Sequence, residues 1–268
     1  MKKKRRPLVF KVLAGSYKVG KFLAVGSYRL VKKTGKKLKE KREEGLRPKL
    51  NEKYDNFNVV ENLKGNFEDF ENKIFKSDST IGLILGARGS GKSAIGIKLL
   101  ENVKARTNKN VYAVGFKKDS LPSWVNVIDN IEEIKNDSFV LVDEGGIEFS
   151  SRESMSDANK LLSKLLFIAR HKNLHIAFIS QNSSNIEINT IRQSDYLMLK
   201  PSSLLQKDFE RKKIKEIYNE VEELFNKHKN VEGLTYIYSN EYKGFVSNPL
   251  PSFWSSKVSK SYSDFKKD

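Results

Sequence analysis

The chain has 268 residues, of which 38% are hydrophobic, 10% aromatic and 31% charged. It has no cysteine, which excludes a disulfide framework, thiol chemistry and cysteine zinc sites, and its three histidines are too few for a histidine-rich metal centre. The net charge of +17 is concentrated: residues 1–50 hold 18 Lys and Arg against 3 acidic residues, and the remaining 218 hold 32 against 30. A nearly neutral domain behind a basic arm points to an anionic partner, either nucleic acid or anionic lipid.

The arm opens with the cationic cluster of residues 2–6, closed by Pro7. Over residues 8–33, Lys11, Lys18, Arg29 and Lys33 fall on one narrow helical face, with apolar residues over much of the rest. This is the pattern of a basic amphipathic helix at a membrane surface. Gly15, Gly20 and Gly26 weaken such a helix, so a basic tail without fixed structure is the alternative. The interleaved Phe10, Tyr17, Phe22 and Tyr28 suit lipid insertion and base contacts alike. The longest apolar run, residues 22–25, is far below the ~20 residues of a membrane span. Lysines interrupt the apolar region, so no secretory signal is expected either. Residues 34–56 read as a charged linker with a short helix at 36–44, and the domain is expected over 57–254.

The central stretch is residues 80–103. Ile81, Leu83, Ile84 and Leu85 make a short apolar strand. Gly86-Ala87-Arg88-Gly89-Ser90-Gly91-Lys92-Ser93 fits G-x-x-x-x-G-K-[ST] at every fixed position, and Ile95, Leu99, Leu100 and Val103 follow at helical spacing. Strand, glycine loop and helix together make the motif a phosphate cradle. Its glycines let backbone N–H groups close on phosphates, and the helix N-terminus adds positive potential. Lys92 is placed for the β- and γ-phosphates and Ser93 for magnesium, so ATP and Mg are the expected cofactors.

Further strands are expected at residues 110–116, 124–128 (a short extended piece), 138–142, 175–180 and 195–199, with a turn of helix at 131–135 and a helix over 158–170. Strands alternating with helices predict an α/β fold, a mostly parallel sheet covered on both faces. Asp143 and Glu144 end the most apolar strand. Downstream of a glycine loop, such a pair holds magnesium through Asp143 and activates the attacking water through Glu144; otherwise it is a solvated turn. Gln181 ends the next strand, where ligands of parallel sheets bind, with Asn182 as its competitor for a γ-phosphate sensor. Arg170 and Arg192, and more weakly Arg152, are candidates to stabilise the transferring phosphoryl group, in cis or from a neighbouring subunit; a cation at a helix C-terminus is also favourable on its own. His171 and His175 flank a helix-to-strand junction and do not read as a metal pair. Residues 203–230 predict one long helix with Leu205, Phe209, Ile217, Val221, Leu224 and Phe225 near one face. Residues 234–238 and 244–246 predict a hairpin, and a frayed tail is expected from 255.

From residue 139 to 200 the order is VDEGG at 142–146, Ser151-Arg152, ARHKN at 169–173, FISQNS at 178–183 and INTIRQSDY at 188–196. This order resembles the zonula occludens toxin-like and filamentous-phage assembly ATPases of the FtsK–HerA P-loop superfamily. The resemblance covers roughly residues 80–200. It implies an ATPase with the additional-strand arrangement, often assembled as a homo-oligomeric ring, that drives DNA translocation, packaging, conjugation or phage export. By position, Lys92 and Ser93 match the phosphate and magnesium residues, Asp143 and Glu144 the metal-binding and catalytic acids, and Gln181 the sensor. Toxin-like members usually carry a membrane span after the ATPase domain, and this chain shows none. Three functions follow: a motor that moves or packages DNA, a membrane-peripheral ATPase of an assembly or export machine, and a nucleotide-dependent scaffold with little hydrolysis. A cysteine-free chain fits a cytoplasmic setting, free or at the membrane surface.

Overall fold

The computed structural model describes residues 41–150, 155–255 and 258. The amphipathic arm over residues 1–40, Arg152 and the tail beyond 258 lie outside the described residues. The chain divides after Leu46. Before that point, residues 41–46 are helical.

From Arg47 onward the described residues form one sheet of nine strands with helices against it. The strands are β1 (Asn58–Gly65), β2 (Thr80–Leu85), β3 (Asn110–Val114), β4 (Asn126–Val127), β5 (Ser138–Asp143), β6 (Leu174–Ile179), β7 (Tyr196–Leu199), β8 (Leu234–Ser239) and β9 (Tyr242–Ser247). Their order across the sheet is β1-β9-β8-β7-β2-β6-β5-β3-β4. Strands β7, β2, β6, β5, β3 and β4 run parallel. Strands β8, β9 and β1 extend the sheet antiparallel. Strand β6 lies between β2, which carries the glycine loop, and β5, which carries the acidic pair. That is the additional-strand P-loop arrangement.

The sequence reason is direct. Strands β5 and β6 are mostly apolar and almost wholly buried, as parallel strands under two helical layers must be. Alternate residues then serve opposite faces. Leu83, Leu85, Val140, Val142, Ile176 and Phe178 join one core, and Ile84, Phe139, Leu141, Ala177 and Ile179 join the other. The first core is covered by α4 (Met155–Lys172), through Leu162, Leu165 and Ala169, and by α7 (Lys212–Glu220), through Ile214 and Ile217. The second is covered by α2 (Lys92–Arg106), through Ile95, Leu99 and Val103, and by α1 (Phe67–Lys76), through Phe70 and Ile74. The shorter helices are α3 (Glu144–Ser150), α5 (Ile188–Gln193), α6 (Leu204–Asp208) and α8 (Glu222–Lys227).

The structure corrects three readings. Strand β1 is an edge strand where no strand was expected. Residues 47–56, read as the end of a linker, lie against the domain. Arg47 is buried and its guanidinium donates to the carbonyls of Leu121, Pro122 and Val125. The long helix over 203–230 is three helices, α6, α7 and α8, and Leu205 and Phe209 are exposed at 74% and 71% rather than on a buried face. The break falls where Glu210 and Arg211 are captured by the loop after β6. The Ser183 N–H donates to Glu210 Oε2 at 2.8 Å, the Ser183 hydroxyl also donates to it, and Arg211 Nε donates to the Ser183 carbonyl at 3.0 Å. Val258 is buried in the second core.

Both flanks of the domain are fastened to α2. Lys98 Nζ donates to Asp55 Oδ2 at 2.8 Å, Glu101 Oε2 at 2.9 Å and the Lys53 carbonyl at 3.0 Å. The Glu101 carboxylate also accepts from Lys53 N–H at 3.1 Å, from Ser252 N–H at 3.1 Å and from the Ser252 hydroxyl. Lys98 and Glu101 are fully buried, and a pair at that depth is tolerated because every charge is matched and every acceptor used.

Candidate nucleotide site

Residues 86–91 turn the chain from β2 into α2. Gly91 caps the helix in the left-handed region at φ 93°, and Gly86 has φ 148°. A side chain on Gly86 is also blocked, since its Cβ would lie 2.5 Å from Lys200 Cβ. Sequence therefore dictates the loop's shape at both ends. The loop is held against β7, with Lys200 N–H donating to the Leu85 carbonyl at 2.8 Å and Ala87 N–H to the Pro201 carbonyl at 3.1 Å.

Inside the loop, Lys92 Nζ donates to the Gly86 and Ala87 carbonyls, both at 2.8 Å. Burial lowers the Lys92 pKa, and the charges of Asp143 and Glu144 oppose that shift. Ser90 Oγ is buried among the loop atoms and has no hydrogen-bond partner. An orphaned hydroxyl in a cradle of backbone N–H groups fits a phosphate oxygen.

Ser93, on the first turn of α2, donates through Oγ to Asp143 Oδ2 at 3.0 Å. Asp143 Oδ1 accepts the Gly145 N–H at 3.1 Å, which fixes the carboxylate at the start of α3. Burial raises the Asp143 pKa, against the Ser93 hydrogen bond and the Lys92 charge. Two hard oxygen ligands on adjoining elements, with room for water and phosphate oxygens, fit magnesium. Among the described residues no group of three or more His, Cys, Asp or Glu is placed to hold a metal, so no all-protein cage competes with this pair. The Asp143–Gly146 turn is pressed against the end of β3: a Cβ on Gly146 would lie 1.7 Å from the Gly115 carbonyl oxygen.

Arg88, Gly89, Lys92, Ser93, Asp143, Gly145 and Gln181 line one cleft of ≈ 160 Å³ at the carboxyl ends of the parallel strands. Glu144 follows Asp143, is buried at 4% exposure and acts electrostatically on Lys92. Gln181 is exposed and its backbone carbonyl accepts from Gln206 Nε2. Its competitor Asn182 is committed to a cap, accepting the Ser184 N–H at 2.7 Å. The sequence candidates Gly86 to Ser93, Asp143, Glu144 and Gln181 are thus gathered in one place.

Arg170 and Arg192 are not. Both line a separate cavity of ≈ 580 Å³ with Ser79, Ile81, Asp195 and Lys213. Ile81 and Tyr196 lie at the starts of β2 and β7, so this cavity is at the amino ends of the strands, a strand's length away from the glycine loop. Of the two placements left open by the sequence, in cis and from a neighbouring subunit, this position does not favour the first. His171 packs beside Phe167, while His175 is buried with its two ring nitrogens at 2.8 Å from Thr80 Oγ1 and 2.9 Å from the Ser77 carbonyl.

One residue at this site escaped the sequence reading. Lys200 follows β7 behind the glycine loop and is 1% exposed. Its Nζ donates to Asn248 Oδ1 at 2.8 Å and to the carbonyls of Gly233 at 2.9 Å and Leu234 at 3.2 Å. Burial pushes its pKa down to about 7. The available signal was a lysine ending the apolar strand of residues 195–199.

No family model matches the chain, and no curated protein does. Solved structures show partial similarity. The genome packaging NTPase B204 of Sulfolobus turreted icosahedral virus 2, in complex with AMPPCP, is 16% identical; the match covers 65% of this chain and 100% of that one at TM-score 0.42. EssC (ATPases 2 and 3) of Geobacillus thermodenitrificans is 12% identical over 76% of this chain and 47% of that one, at TM-score 0.40. The cytoplasmic domain of the type VII secretion ATPase EccC of Thermomonospora curvata is 10% identical over 64% and 24%, at TM-score 0.40. The fold assignment stands on the strand order and the loop geometry, not on these likenesses.

Proposed function

We propose that this chain is a magnesium-dependent ATPase that works as a motor, moving or packaging DNA. The observation that carries the hydrolase reading is the 3.0 Å contact between Ser93 Oγ and Asp143 Oδ2. It joins the two halves of the motif, 50 residues apart in sequence, at one point beside Lys92. With ATP bound, Lys92 and the loop N–H groups hold the phosphates, and Ser93 with Asp143 holds magnesium. Magnesium supplies charge neutralisation on the phosphate oxygens. Glu144 orients and deprotonates the attacking water, and Gln181 reads the γ-phosphate from the end of β6.

DNA as the moved substrate is supported by the basic arm over residues 2–42 and by the FtsK–HerA-like order of motifs. That order also supports the narrower reading, a toxin-like or filamentous-phage assembly ATPase. A homo-oligomeric ring is supported by the position of Arg170 and Arg192, which are distant from their own chain's loop and available to a neighbour's. A membrane-peripheral ATPase is the second reading, favoured by the amphipathic patterning of residues 8–33. Among the described residues no helix is long and apolar enough to cross a membrane.

The test is ATP hydrolysis by the full-length chain, alone, with duplex DNA and with anionic vesicles, beside Lys92→Ala. Stimulation by DNA that Lys92→Ala abolishes supports the DNA motor. Stimulation by vesicles alone moves the arm to lipid. A nucleotide-dependent scaffold is left standing if Glu144→Gln binds ATP as wild type does and neither protein turns it over.

A further inference from the structure

We propose that Lys200 is a positioning residue of the nucleotide site: a buried ammonium that braces the glycine loop from behind, ties it to the β8–β9 hairpin and adds positive potential to the phosphate cradle. The inference rests on the reading of residues 86–93 as a nucleotide loop.

Lys200 is one of the largest fully buried side chains. No carboxylate among the described residues pairs with it. Its three acceptors, the carbonyls of Gly233 and Leu234 and the side-chain oxygen of Asn248, match the three hydrogens of an ammonium; a neutral amine has only two to give. All three acceptors belong to the open end of the hairpin, where β8 begins and β9 has just ended. The other side of the lysine faces the loop. A Cβ on Gly91 would lie 3.7 Å from both Cε and Nζ, and Gly86 is packed on Lys200 Cβ. The stem of the side chain thus forms the wall on which residues 86–91 rest, and the head group sits beneath the glycine that caps α2.

A buried cation held only by dipoles is costly, and burial alone lowers its pKa. A polyphosphate across a thin glycine loop returns that cost, because in a dry site opposite charges interact strongly. Proton occupancy of Lys200 and phosphate binding are therefore linked. The titratable groups on the surrounding elements are Arg88 and Lys92 of the loop and first turn, Tyr218 of α7, whose hydroxyl donates to the Lys200 carbonyl at 3.0 Å, Glu210, whose charge acts on Tyr218, Glu232 before β8 and Tyr236 of β8. Lys92 is the only one of them already assigned to phosphate.

The experiment is ATP affinity by calorimetry for wild type and Lys200→Met between about pH 6.5 and 9, with folding of the variant checked by thermal melting. At the acid end Lys200→Met is expected to bind on the order of tenfold more weakly. Toward the alkaline end the two affinities converge, because wild type loses the charge the variant never had. A brace that is merely steric gives parallel pH profiles, and that outcome overturns the charge role. Should Lys200→Met not fold, wild type decides the matter: heats in two buffers of different ionisation enthalpy at about pH 8 should show proton uptake on ATP binding, and none overturns the proposal. If wild type binds no ATP at any pH, the nucleotide reading itself falls.

Discussion

At the scale of single residues, two positions yield measurable consequences beyond the site. Gly146 has no room for a methyl group, with the Gly115 carbonyl 1.7 Å from where its Cβ would be. Gly146→Ala is expected to force β3 and the α3 turn apart, costing about 3 kcal/mol in urea unfolding. It should also depress any ATPase activity, since Asp143 and Glu144 ride on that turn. His175 is buried, and burial pushes its pKa down to about 4 from 6.5. The unfolded chain therefore binds the extra proton first as pH falls. Stability is unaffected above 6.5 and is lost as pH drops from 6.5 toward about 4, by up to about 3 kcal/mol from this group. His175→Gln should flatten that part of the stability profile. The glycine-loop lysine and serine were legible from sequence because fixed spacing and flanking elements confine them. Lys200 was not, because nothing in a lone lysine after an apolar strand says whether it turns into solvent or into the protein.

At the scale of elements, the parallel strands were legible as apolar runs, since burial on both faces leaves no polar alternation to misread. Strand β1 was not: it is an edge strand with mostly exposed residues, paired to β9 with two register shifts, so its sequence carries little pattern. The helical stretch over 203–230 was legible in type but not in continuity. Periodicity reports local preference, and the interruption comes from Ser183, a residue distant in sequence that captures Glu210 and Arg211. Removing that capture gives a further prediction. Glu210→Ala leaves the Ser183 N–H and hydroxyl without their acceptor in a buried place and should cost about 2 kcal/mol. Because Gln206, on the same segment, donates to the Gln181 carbonyl, the variant should also loosen the loop after β6. Faster amide exchange at residues 181–184 is the readout.

At the scale of the whole molecule, charge separates the chain into parts with different sensitivity to salt. The surplus of 15 positive charges falls in residues 1–50, and the rest is close to neutral. Deleting residues 1–40 should therefore remove most of the net charge. If the arm binds DNA, the same deletion flattens the dependence of log affinity on log salt by roughly 0.9 for each phosphate that the arm neutralises. A gel-shift titration across salt concentrations, run on the full chain and on the shortened one, reads both slopes. The location of the arginines follows the same division between what sequence and space determine. Arg170 and Arg192 stand close to the site in chain order, yet strand direction sends them to the opposite end of the sheet.

The clasp on α2 has a mechanical meaning. Lys53 near one end of the domain and Ser252 near the other meet at the same carboxylate, that of Glu101. A pull applied across the two ends of the domain would thus reach the helix whose first turn holds Lys92 and Ser93. In a machine that strains against a load, tension on its tethers would be transmitted to the phosphate loop, and a stalled load would be felt where the fuel is bound.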